Sequence, residues 1–554
     1  MDISRRQALV MGGLAGLGVI GAGLVTAPVS SVSAKSASAL DERHMPRPYQ
    51  STLTIPPRLS PYKRVILNGE TTHFYSLSQQ LGTAKILPNH TTPILGYNGI
   101  FPGPTIRVER GVKAVLRMRN RLPATHPELG HTLAMSTHLH GSASLPQFDG
   151  YANDLCLPGF AKDYHFPNFQ PARSIWYHDH AVHFTAQNVY SGLAGHYHIT
   201  DPEERELLPQ GIYDVPLTIS DALFTADGKL GYDSRSNSGL FGDVVLVNGQ
   251  AWPVMKVQKR VYRFRILNAS VSRGYRFHLS TGDPVTMVGT DGGLMPVAQT
   301  VADWRHGGAE RYEVLIDFRH YATGQRVELR NLSNDNNRDY DHTDKIMAFD
   351  VVDTPVDTKD PTWNRIPTTL VPSEVMDLQT AAAVKTRHFR LKHHDVTNIW
   401  SIDDTTWEDV IASNFRKVMA NPGLGDTEIW EFENNSGGWN HPLHIHLVDF
   451  KILSRNGRAP FAYEAGPKDV MYLGEGETVR ALMKFGPHRG RYMVHCHNLV
   501  HEDHSMMAQY SVGLGTDEED LNDPIHAAKP DWDELEEAEE EAEEAAEEAA
   551  EAGA

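Results

Sequence analysis

The strongest signal in the sequence is Val494-His495-Cys496-His497-Asn498-Leu499-Val500-His501-Glu502-Asp503-His504-Ser505-Met506. The apolar lead-in Tyr492-Met493-Val494 predicts a β-strand, in which successive side chains point to opposite faces. His495 and His497 are then expected on one face and Cys496 on the other. One short strand could therefore serve two metal sites.

The Cys496 side of this strand is predicted to form a blue-copper site. His501 and Met506 follow at distances that let the chain turn back toward the thiolate. A second imidazole from elsewhere would complete two His and one Cys with a weak axial Met, the ligand set of a blue-copper electron-transfer site. Zinc would accept His and Cys, but the thioether favours copper.

Histidines elsewhere in the chain could supply the further metal ligands that the two sites need. The segment Trp439-Asn440-His441-Pro442-Leu443-His444-Ile445-His446 offers one separate histidine and a His-x-His pair at strand spacing. Two more pairs lie upstream, His138-Leu139-His140 and His178-Asp179-His180. A single pair is weak evidence for metal binding. Four pairs, with a Cys inside one and a Met after it, are a strong signal even in a chain with 29 His.

These four segments resemble the copper motifs of the multicopper oxidases. The sequences of residues 436–441 and 495–498 are most similar to the branch of bilirubin oxidases and bacterial spore-coat laccases. Residues 96–106 and 263–270 also resemble sequences of the family. The similarity covers roughly residues 48–512 and neither terminus. The resemblance implies an all-β fold of three cupredoxin-like Greek-key β-sandwich domains.

The resemblance also implies a ligand set for four copper ions. The type 1 copper would be held by His441, Cys496 and His501, with Met506 axial. The type 2 copper would take His138 and His444. The type 3 pair would take six more histidines: His140, His178, His180, His446, His495 and His497. Because the first and third domains each give four ligands to this cluster, it is expected at their interface, where metal binding would lock the two domains together.

The implied activity is that of a laccase-like oxidase. One-electron oxidation of phenolic, aromatic amine or bilirubin-like donors would be coupled to four-electron reduction of dioxygen to water. Electrons would be collected through His441, whose ring edge is expected to face solvent, and passed through the Cys496 backbone to His495 and His497.

Four residues near the implied ligands are candidates for supporting roles. Glu502 and Asp149 occupy positions where related enzymes keep an acid near the cluster, and each is predicted to relay protons. Trp439 and Asn498 adjoin the type 1 ligands, so they are candidates for tuning the copper potential. Simple packing is an equally good interpretation of Trp439.

Two other functions compete with this interpretation. The first is a metal oxidase for Mn(II), Fe(II) or Cu(I); the Cu(I) version is weakened because the 16 Met are scattered rather than gathered in an insert. The second is a non-catalytic exported envelope scaffold of the same fold. The intact ligand set argues against the scaffold, since a scaffold has no need for a Cys between two His.

The amino terminus predicts export. Residues 1–34 resemble a twin-arginine signal peptide. Arg5-Arg6 precedes a weakly hydrophobic, Gly-rich run, and the small residues that end at Ala34 predict cleavage after that residue. A retained membrane anchor is the alternative, because the run is nearly long enough to span a bilayer. No other stretch could span a membrane. The mature protein is therefore expected in an extracellular, periplasmic or cell-surface location, delivered by the twin-arginine machinery.

The rest of the chain divides into five segments. Short β segments separated by Gly, Pro and Asn predict β-sandwiches at residues 48–202, 204–352 and 384–514. The middle one has no His-x-His pair and is predicted to be a spacer. A Pro-, Thr- and Asp-rich linker is predicted at residues 354–382, and an acidic tail at residues 531–554.

Charge and cysteine content narrow the possible partners. The tail carries 13 acidic residues of a formal net charge of -19, which leaves -6 for the rest of the chain. Since the body shows no basic patch, nucleic acid is not an expected partner. The chain has two Cys. Because Cys496 is assigned to copper, no second cysteine is left to form an intramolecular disulfide with Cys156, which is expected to be a buried small hydrophobe.

Overall fold

The computed structural model describes residues 36, 38, 40–67, 69–233, 238–353, 361, 363–394, 399–515, 520 and 522–525. The predicted signal peptide at residues 1–34 and the acidic tail at residues 531–554 lie outside these ranges, so both stay predictions. Across the described ranges, no helix combines the length and the apolar character needed to cross a membrane.

The first ten strands form two sheets whose side chains share one hydrophobic core. They are β1 (Arg58–Leu59), β2 (Lys63–Leu67), β3 (Glu70–Ala84), β4 (Thr92–Tyr97), β5 (Gly103–Glu109), β6 (Lys113–Asn120), β7 (Thr137–His140), β8 (Ala161–Phe166), β9 (Arg173–Asp179) and β10 (Ala194–Thr200). One sheet has the order β1-β5-β10-β9-β7, and the other has the order β2-β3-β6-β8 with β4 paired to β3.

The next twelve strands form a second pair of sheets around a separate core. They are β11 (Asp214–Ala222), β12 (Val244–Val247), β13 (Gln250–Ala251), β14 (Val254–Gln258), β15 (Val261–Asn268), β16 (Tyr275–Leu279), β17 (Val285–Thr290), β18 (Gly293–Val301), β19 (Asp303–His306), β20 (Arg311–Asp317), β21 (Arg326–Asn331) and β22 (Lys345–Val352). The orders are β13-β12-β11-β15-β20-β17-β18 and β14-β22-β21-β16-β19.

The last nine strands form a third pair of sheets. They are β23 (Lys385–His393), β24 (Trp400–Ile402), β25 (Thr427–Asn434), β26 (His441–Ile445), β27 (Phe450–Arg455), β28 (Val470–Leu473), β29 (Thr478–Lys484), β30 (Gly490–Cys496) and β31 (Met507–Val512). The orders are β24-β23-β25-β29-β27 and β28-β26-β30-β31. The all-β prediction is confirmed, and the six sheets fall inside the three predicted sandwich ranges.

Helices in the described ranges are short and lie between strands. The α-helices are α1 (Thr185–Tyr190), α2 (Pro202–Leu207), α3 (Trp407–Ala412) and α4 (Leu499–Asp503). Turns of 3-10 helix occur at Pro146–Phe148, Gly211–Tyr213, Phe318–His320, Glu374–Asp377, Thr380–Ala382 and Ala462–Glu464. Two of these turns, Glu374–Asp377 and Thr380–Ala382, lie in the predicted linker. The carbonyl oxygen of Met376 in the first of them accepts from Nζ of Lys451, a residue of β27, at 2.9 Å. The linker is therefore fastened to the third sandwich.

The histidine-rich stretch is a strand followed by a helix and a returning strand. The strand β30 ends at Cys496, α4 turns the chain, and β31 runs antiparallel to β30 with Met507 opposite His495. The predicted alternation of side chains applies up to the end of the strand. The predicted return of the chain is made by one helical turn.

The expectation for Cys156 is wrong. Its side chain is partly exposed rather than buried, and neither Cys156 nor Cys496 forms a disulfide bond. The segment around Cys156 is a loop with a single β-bridge to Met135, so it contributes no strand face to the core.

The strand β15 alternates basic and apolar residues, and its two arginines, Arg263 and Arg265, lie in a buried ionic network. Arg265 donates from Nε to Asp214 Oδ1 at 2.7 Å and from Nη2 to Glu204 Oε1 at 2.6 Å. It also donates from Nη1 to the hydroxyl of Ser174 in the first sandwich at 3.0 Å. The arginine face of β15 therefore lies against the first sandwich, while the apolar face joins the core of the second.

Replacing Arg265 with methionine should lower the free energy of unfolding by about 3–5 kcal/mol. The three carboxylates of Glu204, Asp214 and Glu313 would keep only Arg107 and Arg263 as partners, which leaves one buried negative charge uncompensated. Urea unfolding followed by far-UV circular dichroism measures this. The matched control is Arg326→Met, which breaks a pair with Asp350 whose side chains are 42% and 34% exposed. The control should cost less than about 1 kcal/mol, and equal losses for the two variants would contradict the structural role given to the buried network.

Candidate metal centres

One group of metal-binding side chains surrounds Cys496, and we call it the cysteine centre. Its donor atoms are Nδ1 of His441, Sγ of Cys496 and Nδ1 of His501. The sulfur lies 3.3 Å from His441 Nδ1 and 3.8 Å from His501 Nδ1, and the two nitrogens are 3.2 Å apart. All three side chains are buried. The three residues that the sequence predicted to share a site are therefore brought together.

Backbone pairing places each member of the cysteine centre. The antiparallel pairing of β26 and β30 sets Leu443 opposite Cys496, which puts His441 beside the sulfur. The amide N–H of Cys496 donates to the carbonyl oxygen of Met506 at 3.1 Å, and the N–H of Met506 donates to that of His501 at 3.0 Å. Met506 is buried in the same hydrophobic cluster as Cys496. Met506 thus lies next to the predicted site.

The protonation states in the cysteine centre suit a cation. Nε2 of His441 donates to Ser436 Oγ at 2.9 Å, so the lone pair of its neutral ring is at Nδ1, which faces the sulfur. Burial lowers the pKa of His441 to about 3 and that of His501 well below its usual value. Burial also raises the pKa of the Cys496 thiol far above its usual value. A thiolate forms here only with a positive charge beside it, which a metal ion would supply.

Asn498 contacts this centre as predicted. Its backbone N–H donates to Sγ of Cys496 at 3.4 Å, and its side-chain amide lies 3.0 Å from Nε2 of His501. Its Oδ1 accepts from the hydroxyl of Ser272 in the second sandwich at 2.8 Å. Asn498 therefore connects the sulfur and one imidazole to the middle sandwich.

The expectation that the ring edge of His441 faces solvent is wrong. His441 is 0% exposed because Ser436 caps its outer nitrogen and Trp400 covers its ring, with centroids 5.2 Å apart. The same indole lies 4.3 Å from the ring of His501. Trp439, which is partly exposed, lies edge-on to His501 at 6.0 Å. Two indoles, rather than bare imidazole, separate the cysteine centre from the surface.

Eight further histidines form a second group, the eight-histidine centre. They are His138, His140, His178, His180, His444, His446, His495 and His497, and all are buried. The first sandwich contributes from β7, from β9 and from the residue directly after β9, and the third contributes from β26, from β30 and from the residue directly after each of these two strands. Rings from the two sandwiches stack directly, with centroids 4.0 Å apart for His138 and His446 and 3.6 Å apart for His140 and His444. The predicted interface position is observed.

Outward hydrogen bonds turn one nitrogen of these rings toward the middle of the group. His178 Nδ1 donates to the carbonyl oxygen of Asp179 at 2.8 Å, and His444 Nδ1 donates to that of Asp469 at 2.9 Å. Six buried ring nitrogens of this group make no hydrogen bond to the described residues: Nε2 of His138, His178, His444 and His497, and Nδ1 of His140 and His180. The Nδ1 of His180 lies 3.6 Å from Oε1 of Glu502. Because a neutral imidazole has one N–H and one lone pair, the other five nitrogens suit metal coordination.

The other three histidines converge at one point. Nε2 of His495 lies 3.2 Å from Nε2 of His180 and 3.1 Å from Nε2 of His446. Burial lowers the pKa of His180 to about 4 and that of His446 well below its usual value. A cation between these three nitrogens fits the geometry.

The two predicted carboxylates contact this centre from outside. Asp149 Oδ2 accepts from His446 Nδ1 at 2.8 Å. Glu502 Oε2 lies 2.8 Å from His495 Nδ1 as an ion pair. Burial raises the pKa of Asp149 well above its usual value. Burial acts in the same direction on Glu502, but the imidazoles of His495 and His180 outweigh it and hold its pKa at about 2.

Three residues that complete these centres are not among those predicted from the sequence. Ser436 and Trp400 cover the cysteine centre, and Asp469 accepts from His140 Nε2 at 3.1 Å. Ser436 lies within residues 436–441, which resemble family sequence, so its position five residues before His441 could have identified it. Trp400 and Asp469 lie in segments without a motif, and only the assembled sandwiches bring them to the histidines.

Comparisons with known proteins agree with this geometry. Family profiles described as multicopper oxidase match residues 79–204 and 388–515. The chain is 40% identical to a bilirubin oxidase of Albifimbria verrucaria over 482 residues, 83% of this chain and 80% of that protein. It is 34% identical to a laccase of Bacillus subtilis over 519 residues, 83% of this chain and 97% of that protein.

A solved structure shares the fold. The crystal structure of the McoA multicopper oxidase from the hyperthermophile Aquifex aeolicus superposes with a TM-score of 0.73 at 28% identity, and covers 84% of this chain and all of that one.

Loading the protein with copper should raise its melting temperature by more than about 5 °C, because ions at the interface bind only the folded arrangement of the first and third sandwiches. Differential scanning calorimetry of loaded and chelator-treated protein measures the rise. In His446→Ala the rise should shrink. In the control His183→Asn, whose ring is 41% exposed and pairs with Glu408, it should persist. Equal melting temperatures with and without copper would contradict the interface role.

Proposed function

Because this chain belongs to the multicopper oxidase family, we propose that it is a laccase-like oxidase whose own electron donor is an aromatic molecule: a phenol, an aromatic amine or a bilirubin-like tetrapyrrole. Family membership makes it a copper-dependent oxidoreductase with cupredoxin-like domains and dioxygen as acceptor. It also implies four copper ions, one of type 1, one of type 2 and two of type 3.

The indoles over the cysteine centre carry the proposal of an aromatic donor. Trp400 packs on both imidazoles of that centre, and the partly exposed Trp439 stands edge-on to one of them. Aromatic faces attract aromatic partners through stacking and edge-to-face contact, beyond the area they bury. A planar donor resting against Trp439 would lie one ring away from a ligand of the cysteine centre.

We assign the ligand roles as the resemblance implies. The cysteine centre, with Met506, would hold the type 1 ion. In the eight-histidine centre, His138 and His444 would hold the type 2 ion and the other six histidines the type 3 pair. The bound copper would supply one-electron acceptance at the first centre and dioxygen reduction at the second. The inward nitrogens support this assignment.

The backbone connects the two centres directly. Cys496 belongs to one centre, and its sequence neighbours His495 and His497 belong to the other, so the connection between them is covalent. The pairing of His444 with His495 across β26 and β30 holds the eight-histidine side of this connection in place. Because the connection is rigid, little reorganisation of the protein is needed when an electron passes.

Proton supply is proposed for Asp149 and Glu502. Each carboxyl group has one oxygen 2.8 Å from a ring nitrogen of the eight-histidine centre, and Asp149 Oδ1 makes no hydrogen bond to the described residues. Asp149, whose pKa is raised by burial, is placed to hold a proton beside the centre, and the ionised Glu502 is placed to accept a proton and pass it on. The hydrogen bond to Asp149 also orients His446.

The choice of donor is tested by oxygen uptake of copper-loaded protein with 2,6-dimethoxyphenol, bilirubin, Mn(II), Fe(II) and Cu(I). We expect kcat/KM for an aromatic donor to exceed that for every metal ion by at least about tenfold, a difference of about 1.4 kcal/mol in transition-state binding. A clear preference for a metal ion would make the protein a metal oxidase. The control Cys496→Ser removes the sulfur ligand, so blue colour and oxygen uptake that survived it would contradict the ligand assignment.

Replacing Glu502 with glutamine should slow dioxygen reduction by about a hundredfold, since the amide keeps the shape but cannot accept a proton and pass it on. Reduction of the blue centre by donor, followed anaerobically by loss of its visible absorbance, should keep its rate. The control is Glu408→Gln, at a side chain 55% exposed that pairs with His183. Turnover of Glu502→Gln equal to that of the control across pH would show that Glu502 carries no proton.

A further inference from the structure

We infer that Arg311 of the middle sandwich is a positioning residue for the eight-histidine centre, and that it acts through Asp469. The inference rests on the ligand roles proposed above. It adds a part in the metal site to the predicted role of the middle sandwich, that of a spacer which sets the first domain against the third. The relevant contacts join all three sandwiches at one buried point.

Asp469 holds one histidine from each of the two sandwiches that supply ligands. Its Oδ1 accepts from Nε2 of His140 at 3.1 Å, and its backbone carbonyl accepts from Nδ1 of His444 at 2.9 Å. These two rings stack with centroids 3.6 Å apart and planes 17° apart. The inward atoms that remain, His140 Nδ1 and His444 Nε2, are among the buried nitrogens without a hydrogen bond. Asp469 therefore decides which nitrogen of each ring faces the metal site.

Arg311 holds the carboxylate of Asp469 in a single orientation. Nη1 donates to Oδ1 at 2.7 Å and Nη2 donates to Oδ2 at 2.5 Å, which is a two-point pairing. The remaining donors are also used: Nε bonds the carbonyl oxygen of Ser174, Nη1 that of Ala309 and Nη2 that of Asp291. All five N–H groups of the guanidinium thus have acceptors. The side chain is 1% exposed, so water cannot replace them.

The chain of the first sandwich approaches this pair closely. A Cβ atom on Gly141, directly after His140, would lie 2.6 Å from Asp469 Oδ2 and 2.8 Å from Arg311 Nη2. The backbone of Gly141 also has a φ of +92°, which favours glycine. The loop that follows His140 therefore packs directly against the Arg311–Asp469 pair, with no space for a side chain at Gly141.

Lysine cannot take the place of Arg311. Its ammonium is a compact charge with three donors and lacks the planar fork that pairs both oxygens of Asp469 while bonding carbonyl oxygens on either side. With lysine, the carboxylate is free to rotate, and the Nε2–H of His140 loses its fixed acceptor. The ring can then present the wrong nitrogen to the metal.

The test uses Arg311→Lys with Arg273→Lys as matched control. Arg273 is also fully buried in the middle sandwich and donates from Nε to Asp221 at 2.8 Å, but none of its described hydrogen bonds reaches a histidine. The readouts are copper per chain, the electron paramagnetic resonance signal of type 2 copper, the visible band of type 1 copper, and the melting temperature.

We expect Arg311→Lys to weaken copper binding at the eight-histidine centre by at least about tenfold and to change the type 2 signal. The visible band of the cysteine centre should stay. Arg273→Lys should lower only the melting temperature. Full copper content and an unchanged type 2 signal in Arg311→Lys would overturn the inference, as would equal copper loss in the two variants.

Asp469→Asn provides a second test should Arg311→Lys fail to fold. The amide oxygen can still accept from His140, but the amide cannot pair with both nitrogens of Arg311, so the type 2 signal should change again. An unchanged signal would overturn the inference. Absence of a type 2 signal from the unaltered, copper-loaded protein would instead overturn the proposed ligand roles. Failure of the inference about Arg311 and failure of the proposed ligand roles therefore give different results.

Discussion

The interaction on which the rest of this structure depends is the outward hydrogen bond of a buried histidine. A neutral imidazole has one N–H and one lone pair, so an acceptor behind the ring fixes which nitrogen faces inward. Carbonyl oxygens of Asp179 and Asp469 do this for His178 and His444, and Ser436 does it for His441. Without those acceptors the same residues could lie close together and still offer protons rather than lone pairs to a cation.

The two-residue period of a β-strand explains why two centres occur side by side. Because neighbours on a strand face opposite ways, Cys496 enters the hydrophobic core of the third sandwich, while His495 faces the first sandwich. The helix α4 then brings His501 back to the sulfur, and the pairing of β30 with β31 keeps Met506 beside it. Local backbone geometry alone therefore separates the two ligand sets.

That local geometry is what the sequence could predict. The His-x-His pairs, the Cys inside one of them and the β-rich class follow from short-range pattern, and the structure brings together the residues named from it. Trp400 and Arg311 carry no such pattern. Their importance comes from contacts between residues far apart in the chain, such as the 158 positions between Arg311 and Asp469 and the 329 between His140 and Asp469. The burial of His441 escaped prediction for the same reason, since a distant indole covers it.

None of the proposed ligands lies in the middle sandwich, yet the geometry of the eight-histidine centre requires a support of this kind. Nε2 of His180 in the first sandwich lies 3.2 Å from Nε2 of His495 in the third, so the two sandwiches must keep this separation for one cation to bind both nitrogens. The middle sandwich supports this separation through contacts to both neighbours: Arg265 with Ser174 of the first, and Arg311 with Asp469 of the third. Since these contacts do not involve the metal, the half-sites are held near their final geometry before it binds. Less of the binding free energy is then spent on ordering the protein.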